Sequence, residues 1–115
     1  MFMGRTSYCG LRDFLNPDDS VPDHTPSAMQ AFMHLASIVA WVTRNPYPGM
    51  MRTNVFCRRS YHRVRCRGVI MAAYETARAR IFWRCPACGE GGYIDNWENT
   101  PWDRRNDTHA GPIMN

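Results

Sequence analysis

Apolar residues recur through the stretch from Thr25 to Asn45, which has helix signals at both ends. Thr25 can cap the first turn, Pro26 suits the first helical position, and Asn45 followed by Pro46 ends the pattern. The apolar positions cover much of the helix circumference and comprise Met29, Phe32, Met33, Leu35, Ala36, Ile38, Val39, Trp41 and Val42. A helix this apolar is buried, so we expect it to pack against a sheet or against a second copy of itself.

Shorter stretches rich in β-branched and aromatic residues follow the helix. Residues 50–56, 67–74 and 79–84 are predicted to be strands, and the last two form a hairpin around the short polar break at 75–78. A further short strand is predicted at 93–95, after a Gly-Gly turn. The pattern therefore predicts an α+β fold, in which one buried helix packs on a small antiparallel sheet.

The two ends of the chain lack such periodicity. Residues 1–24 are interrupted by prolines and aspartates, and we expect a loosely packed N-terminal arm there. A single domain is predicted for residues 25–103, and residues 104–115 are expected to be a disordered tail. Trp97 and Trp102 are expected to pack across the sheet or the helix; the alternative is that one of them is an exposed platform for a base or a peptide.

The cysteines of the second half of the chain indicate a metal site. Cys85-Pro86-Ala87-Cys88-Gly89 is typical of a metal knuckle, because a Cys-x-x-Cys turn followed by glycine lets two thiolates reach one ion. Gly89 supplies the positive φ that the turn needs. Zinc takes four ligands in a tetrahedron, and Cys57 and Cys66 are the candidates for the other two. Because knuckle, hairpin and knuckle follow in the order of a zinc ribbon, we predict a structural Zn²⁺ on Cys57, Cys66, Cys85 and Cys88.

A disulfide framework and a redox pair are the competing interpretations of these cysteines. The first residues of the chain lack the apolar core of a signal peptide, which favours a reducing cytoplasm over disulfide formation. Pro86 and Gly89 disfavour the helix that a thioredoxin-like redox pair needs. His62 can replace one of the first two cysteines as a ligand, although we expect it to be a solvated loop residue. Cys9 stands apart and is expected to be a small, buried apolar side chain.

A longer pattern of residues runs through the second half of the chain. It consists of Cys57-Arg58-Arg59, then Cys66-x-Gly68-x-Ile70, then Trp83-x-Cys85-Pro86-x-Cys88-Gly89-x-x-Gly92-x-Ile94-x-x-Trp97-x-x-Thr100-x-Trp102-Asp103. This pattern, over about residues 55–103, resembles a group of small, uncharacterised bacterial zinc-ribbon-like proteins. The resemblance implies metal ligation by the four cysteines and carries no assigned activity.

Length and charge narrow the class of protein further. A chain of 115 residues, 44% of them hydrophobic, forms one small domain in which a bound metal would add much to a modest core. No apolar run is long enough to span a membrane. The net charge is +4, and all 14 positive residues are arginine. Residues 44–84 hold ten of these arginines and a single acid, Glu75, so the positive charge is concentrated in the middle of the chain.

The segment around the first two cysteines is the most basic. It contains Tyr61 and five arginines, namely Arg58, Arg59, Arg63, Arg65 and Arg67. Arginines beside an aromatic residue are typical of contacts to a phosphate backbone, so nucleic acid is the first predicted partner. The alternative is that these arginines neutralise the charge of the metal site. A protein partner or a homodimer, contacting the apolar helix or the tryptophans, is the second hypothesis.

Catalysis has little support in the sequence. Four cysteines fill the zinc tetrahedron, whereas a catalytic zinc keeps an open position for water. Ser60, His62 and Asp95 lack the spacing of a nucleophile elbow. His34 has no partner on its helix face, and we assign it no role. We therefore expect a cytoplasmic binding protein that is not an enzyme; an enzyme with an open zinc site is the third hypothesis.

Overall fold

The computed structural model describes residues 6–45, 49–61 and 63–105. Within these ranges the chain forms an α+β fold with one α-helix, a five-stranded mixed sheet and a separate two-stranded hairpin. The helix is α1 (Pro26–Arg44), the sheet strands are β1 (Thr6–Gly10), β2 (Met51–Phe56), β5 (Val69–Glu75), β6 (Arg80–Arg84) and β7 (Gly91–Asp95), and the hairpin pairs β3 (Ser60–Tyr61) with β4 (Val64–Arg65). Short 3₁₀ turns follow β1 (Leu11–Phe14) and β5 (Thr76–Arg78).

The predicted helix is confirmed at both ends. The backbone N–H of Ala28 donates to Thr25 Oγ1 at 3.3 Å, Pro26 occupies the first turn, and Asn45 is the C-cap. The helix packs against β2, β5 and β6 on one face of the sheet. Its fully buried side chains meet the inward side chains of the strands in one core, made of Phe32, Ile38, Val39 and Val42 from the helix and Ile70, Ala72, Ile81 and Ile94 from the sheet.

The strands lie in the order β1-β7-β6-β5-β2. The four strands predicted after the helix are present within about two residues of their expected bounds. Each pairs antiparallel with its neighbour, as expected for a small antiparallel sheet. The sheet as a whole is mixed, however, because β1 pairs with β7 in parallel.

Strand β1 lies in the segment for which we expected loose packing. Tyr8 is in register with Tyr93 and Cys9 with Ile94, and Leu11 just beyond the strand is fully buried. The parallel pairing needs a glycine on the neighbouring strand, because a Cβ at Gly92 would lie 2.5 Å from the backbone oxygen of Ser7. Residues 6–11 therefore belong to the sheet and the core.

The two tryptophans after β7 pack inside the molecule. Trp97 is fully buried, with its ring edge-to-face on Tyr74 at 5.5 Å. The guanidinium of Arg105 lies 4.9 Å from the Trp97 ring centroid. Trp102 contacts Phe32 edge-on, with centroids 5.0 Å apart. The prediction that these residues pack across the sheet or the helix is confirmed. Of the tail predicted for residues 104–115, residues 104 and 105 are described, and residues 106–115 lie outside the described part of the structure.

Within the described ranges, no helix combines the length and apolar character that crossing a bilayer requires.

Candidate metal centre

The four cysteines of the predicted site meet at one end of the sheet. Strands β2 and β6 both run antiparallel to β5, which lies between them, so the C-termini of β2 and β6 lie at the same end of the sheet. Cys57 directly follows β2, and Cys85 directly follows β6. Cys66 follows the small hairpin of β3 and β4, and Cys88 lies in the turn before β7. The fold therefore brings together residues that are up to 31 positions apart.

The thiol sulfurs are arranged as a metal site requires. All four Sγ atoms lie within 4.8 Å of one another. The Sγ atoms of Cys57 and Cys88 are 3.7 Å apart, and those of Cys66 and Cys85 are 3.6 Å apart. A tetrahedron with zinc–sulfur bonds of about 2.3 Å has edges of about 3.8 Å, whereas a disulfide bond measures about 2.05 Å. The donor set and its spacing thus fit one tetrahedral metal ion.

Backbone hydrogen bonds hold three of the four cysteines in place. The Cys57 N–H donates to the Gly68 carbonyl at 2.9 Å, and the Cys66 N–H donates to the Arg59 carbonyl at 2.8 Å. These two bonds hold Cys57 and Cys66, the first pair of ligands, close together. In the second pair, the Gly89 N–H donates to the Cys85 carbonyl at 2.7 Å. Gly89 has a φ of 79°, the positive value that the sequence predicted for the turn.

Burial and nearby N–H groups shift the pKa values of the thiols in opposite directions. Burial raises the pKa of the Cys57 thiol and that of the Cys85 thiol. The Gly68 N–H, 3.4 Å from Cys66 Sγ, lowers the pKa of Cys66. Hydrogen bonds to thiolates are charge-assisted, so this donor favours the metal-binding form of the cysteine. A metal ion must displace protons from the buried thiols, and its affinity therefore depends on pH.

Gly68 is a residue of the site to which our sequence analysis assigned no role. A Cβ at this position would contact the Sγ of Cys85, and it would lie 2.9 Å from the Cβ of Ala87 and 3.4 Å from Cys66 Sγ. Glycine is thus required by the close approach of the two cysteine pairs. Its position two residues after a ligand cysteine is the signal that could have pointed to it.

The five arginines of the predicted basic segment separate into two groups. Arg59 is half-buried, and its Nη1 lies 3.5 Å from Glu90 Oε1, so it links the two cysteine pairs. The other four, Arg58, Arg63, Arg65 and Arg67, are exposed around the hairpin of β3 and β4. Arg59 therefore fits the alternative in which arginines support the metal site, whereas the exposed four form no ion pair with a described carboxylate.

Two further features of the basic segment bear on its surface. Phe56 and Val64, which sequence analysis did not single out, are 61% and 70% exposed. The side chain of Tyr61 and the whole of His62 lie outside the described part of the structure. The contribution of Tyr61 to the basic segment therefore stays a prediction. Val64 in the hairpin and Phe56 at the end of β2 thus add exposed apolar groups to the cationic surface.

His34, to which no role was assigned, lines a cavity of about 270 Å³ beside the metal centre together with Trp83 and Arg58. Its ring packs edge-to-face on Trp83, with centroids 5.2 Å apart. Burial, helped by the positive charge of Arg58, lowers the pKa of His34 to about 4. The imidazole is therefore neutral at neutral pH, and no described residue hydrogen-bonds its Nδ1.

Replacing His62 with alanine is expected to leave the metal content unchanged, because the four thiols already complete a tetrahedron. Replacing Cys66 with alanine is expected to lower it. Metal analysis of both variants, with X-ray absorption at the zinc edge, provides the measurement. A coordination shell of three sulfurs and one nitrogen in the wild-type protein, with the nitrogen lost in the His62 variant, would show that His62 is a ligand.

Comparison of the chain with protein-family models, with curated proteins and with solved structures found no match. What the site can do is therefore inferred from its geometry alone: four cysteines lie close enough together to hold a metal ion.

Proposed function

We propose that this chain is a zinc-ribbon protein that binds nucleic acid, with one structural Zn²⁺ held by Cys57, Cys66, Cys85 and Cys88. The observation that carries the metal assignment is the pair of sulfur–sulfur distances, 3.6 Å and 3.7 Å, inside a cluster no wider than 4.8 Å. Four thiolates in a tetrahedron are the ligand set of structural zinc. The order of cysteine pair, hairpin and cysteine pair supports the ribbon assignment.

A structural role for the metal is favoured over a catalytic one. Catalytic zinc sites keep a coordination position open for water, and four cysteines leave none. Cys57 and Cys85 are also almost completely buried, which leaves a substrate little access to this side of the ion. We therefore assign the protein to binding rather than catalysis, in a reducing compartment such as the cytoplasm, where thiols persist.

The exposed arginines support nucleic acid as the partner. Arg58, Arg63, Arg65 and Arg67 are exposed around one hairpin, and none of them forms an ion pair with another described residue. Glu90, an acid beside this region, is paired with Arg59. Unpaired arginines clustered on a surface attract phosphates and release counterions when they bind them.

Replacing Arg63 and Arg65 together with glutamine is expected to weaken binding to every oligonucleotide by about the same factor. The slope of log affinity against log salt should become shallower by about two units, one for each lost phosphate contact. Fluorescence anisotropy with mixed-sequence oligonucleotides over a salt series measures both quantities.

The matched control replaces two exposed arginines elsewhere, Arg44 and Arg78, with glutamine. This variant has the same net charge as the double variant of the hairpin and is expected to keep the wild-type salt slope. Equal slopes for all three proteins would contradict nucleic-acid binding through the hairpin, and no binding by the wild type at low salt would contradict nucleic-acid binding altogether.

A protein partner or a second copy of the chain is the alternative, and the exposed apolar side chains of Phe56 and Val64 favour it. Trp97 is buried and the apolar face of the helix lies on the sheet, so neither is free for such contacts. Binding that survives high salt and is lost on replacing Phe56 with serine would support this alternative.

A further inference from the structure

The helix covers only one face of the five-stranded sheet. In β6, Ile81 and Trp83 point to the core, so Arg80, Phe82 and Arg84 point to the other face. Ile94 of β7 is likewise buried, which places Tyr93 outward. Among the described residues, no helix packs on this second face. We call it the open face.

Aromatic side chains form a row across the open face. Tyr8, Tyr93 and Phe82 are direct cross-strand neighbours on β1, β7 and β6. The rings of Tyr8 and Tyr93 are stacked, with centroids 5.0 Å apart and planes 13° from parallel. The centroids of Phe82 and Tyr93 are 5.1 Å apart. Tyr8, at the end of the row, is 70% exposed, so the row ends in an aromatic ring open to solvent.

Arginines lie on both sides of this row. The guanidinium of Arg80 lies 5.2 Å from the Tyr93 centroid and 6.0 Å from that of Tyr8, and its buried Nε has no hydrogen-bond partner among the described residues. On the side nearer the metal centre, Arg84 of β6 and Arg52 of β2 flank Met71 in register. Neither Arg84 nor Arg52 forms an ion pair within the described ranges.

Charge is unevenly distributed along the strands of the open face. The two acids that face outward, Glu75 and Asp95, are at the ends of β5 and β7 farthest from the metal centre. The end of the face nearest the metal centre carries Arg52 and Arg84 and leads to the exposed arginines of the hairpin. Phosphates are therefore attracted to this end, and the aromatic row lies beside it.

We propose that the open face binds single-stranded nucleic acid, with bases stacked on the row of Tyr8, Tyr93 and Phe82 and phosphates beside Arg84 and Arg52. Base–aromatic stacking next to a positively charged groove is the arrangement by which proteins hold single strands with little sequence preference. In a duplex the faces of the bases are covered by their neighbours, so the row gives no advantage to duplex binding. The inference rests on the proposed nucleic-acid function but assigns it to different residues.

Replacing Tyr8 with alanine tests the proposal. Tyr8 is the most exposed ring of the row, so its loss should disturb the fold least. Affinity for short oligo-dT and oligo-U is expected to fall about 5- to 150-fold, the range for one lost stacked base. Affinity for a duplex of the same length should stay at the wild-type value, and so should the salt slope for oligo-dT, because no phosphate contact is removed. Replacing Tyr8 with phenylalanine keeps the ring and should preserve binding.

The variants distinguish this proposal from the one made for the hairpin. The Tyr8→Ala protein must first show wild-type metal content and circular dichroism. If it then binds oligo-dT normally while the hairpin variant flattens the salt slope, the hairpin function stands and the open-face proposal is overturned. Equal losses for oligo-dT and for the duplex in Tyr8→Ala would also overturn it. As a second test, Arg52→Gln combined with Arg84→Gln should flatten the slope for oligo-dT by about 1.4 units, because each phosphate contact to a single strand contributes about 0.7. Absence of any nucleic-acid binding by the wild type would overturn both proposals.

Discussion

Replacing Cys85 with serine is expected to abolish metal binding and the folded structure together. The Cys85 sulfur is fully buried and lies 3.6 Å from that of Cys66 within the cluster. Structural zinc contributes on the order of 10–16 kcal/mol of apparent free energy in zinc-finger peptides, whereas whole domains are stable by about 5–15 kcal/mol. Metal content and thermal unfolding followed by circular dichroism measure the two effects.

Cys9→Ser is the matched control for this experiment. Cys9 is a half-buried residue of β1 outside the cluster, so its replacement should retain one zinc per chain and cooperative unfolding. A Cys85→Ser protein that lacks metal yet unfolds at the wild-type temperature would show that the cluster does not stabilise the fold. Wild-type protein prepared without chelators that holds far less than one equivalent of zinc would contradict the zinc assignment itself.

The parts of the structure that the sequence predicted are those with local signals. Thr25, Pro26 and Asn45 mark the ends of α1 through interactions within one turn. The antiparallel strands of the sheet follow from short runs of β-branched and aromatic residues separated by turns. The four cysteines were found from their spacing and from the glycine after the second pair. Each of these signals depends on residues close together in the chain.

Strand β1 could not be predicted in the same way. Its five residues, Thr-Ser-Tyr-Cys-Gly, contain little apolar alternation, and its partner β7 lies about 85 positions later. The pairing depends on the absence of a side chain at Gly92, which becomes evident only when the two backbones are brought together. The open face follows from this pairing, because the stacking of Tyr8 on Tyr93 exists only in that register.

The separate roles of the arginines were hidden in the sequence for a similar reason. Arg58 and Arg59 are neighbours in the chain and look equivalent, yet one is exposed and the other is half-buried against Glu90. The difference arises from the turn before Glu90, which brings the second cysteine pair beside the first. A count of arginines therefore overstates the number of cations available to a partner.

Replacing Gly68 with alanine is expected to disrupt the metal centre although Gly68 is not a ligand. The added Cβ would contact Cys85 Sγ and lie 2.9 Å from the Cβ of Ala87, closer than two carbon atoms pack without displacement. Cys85 is fully buried and cannot move away into solvent. The N–H of Gly68 also donates to Cys66 Sγ, so a shift of this backbone weakens a second ligand. We expect zinc affinity to fall by about 10- to 100-fold or more, as for other groups that orient metal ligands.

Competition with a chromophoric zinc chelator gives the affinity, and Gly10→Ala gives the control. Gly10 is at the end of β1, where a Cβ would come no closer than 3.2 Å to the side-chain carboxylate of Asp13. The same substitution made there should leave zinc affinity unchanged, which separates a steric effect at the sulfurs from a general cost of replacing glycine. Wild-type zinc affinity in Gly68→Ala would mean that the two cysteine pairs can separate without loss of the ion. In that case the tetrahedral arrangement of the sulfurs would not depend on the close packing of Cys66 and Cys85 against residue 68.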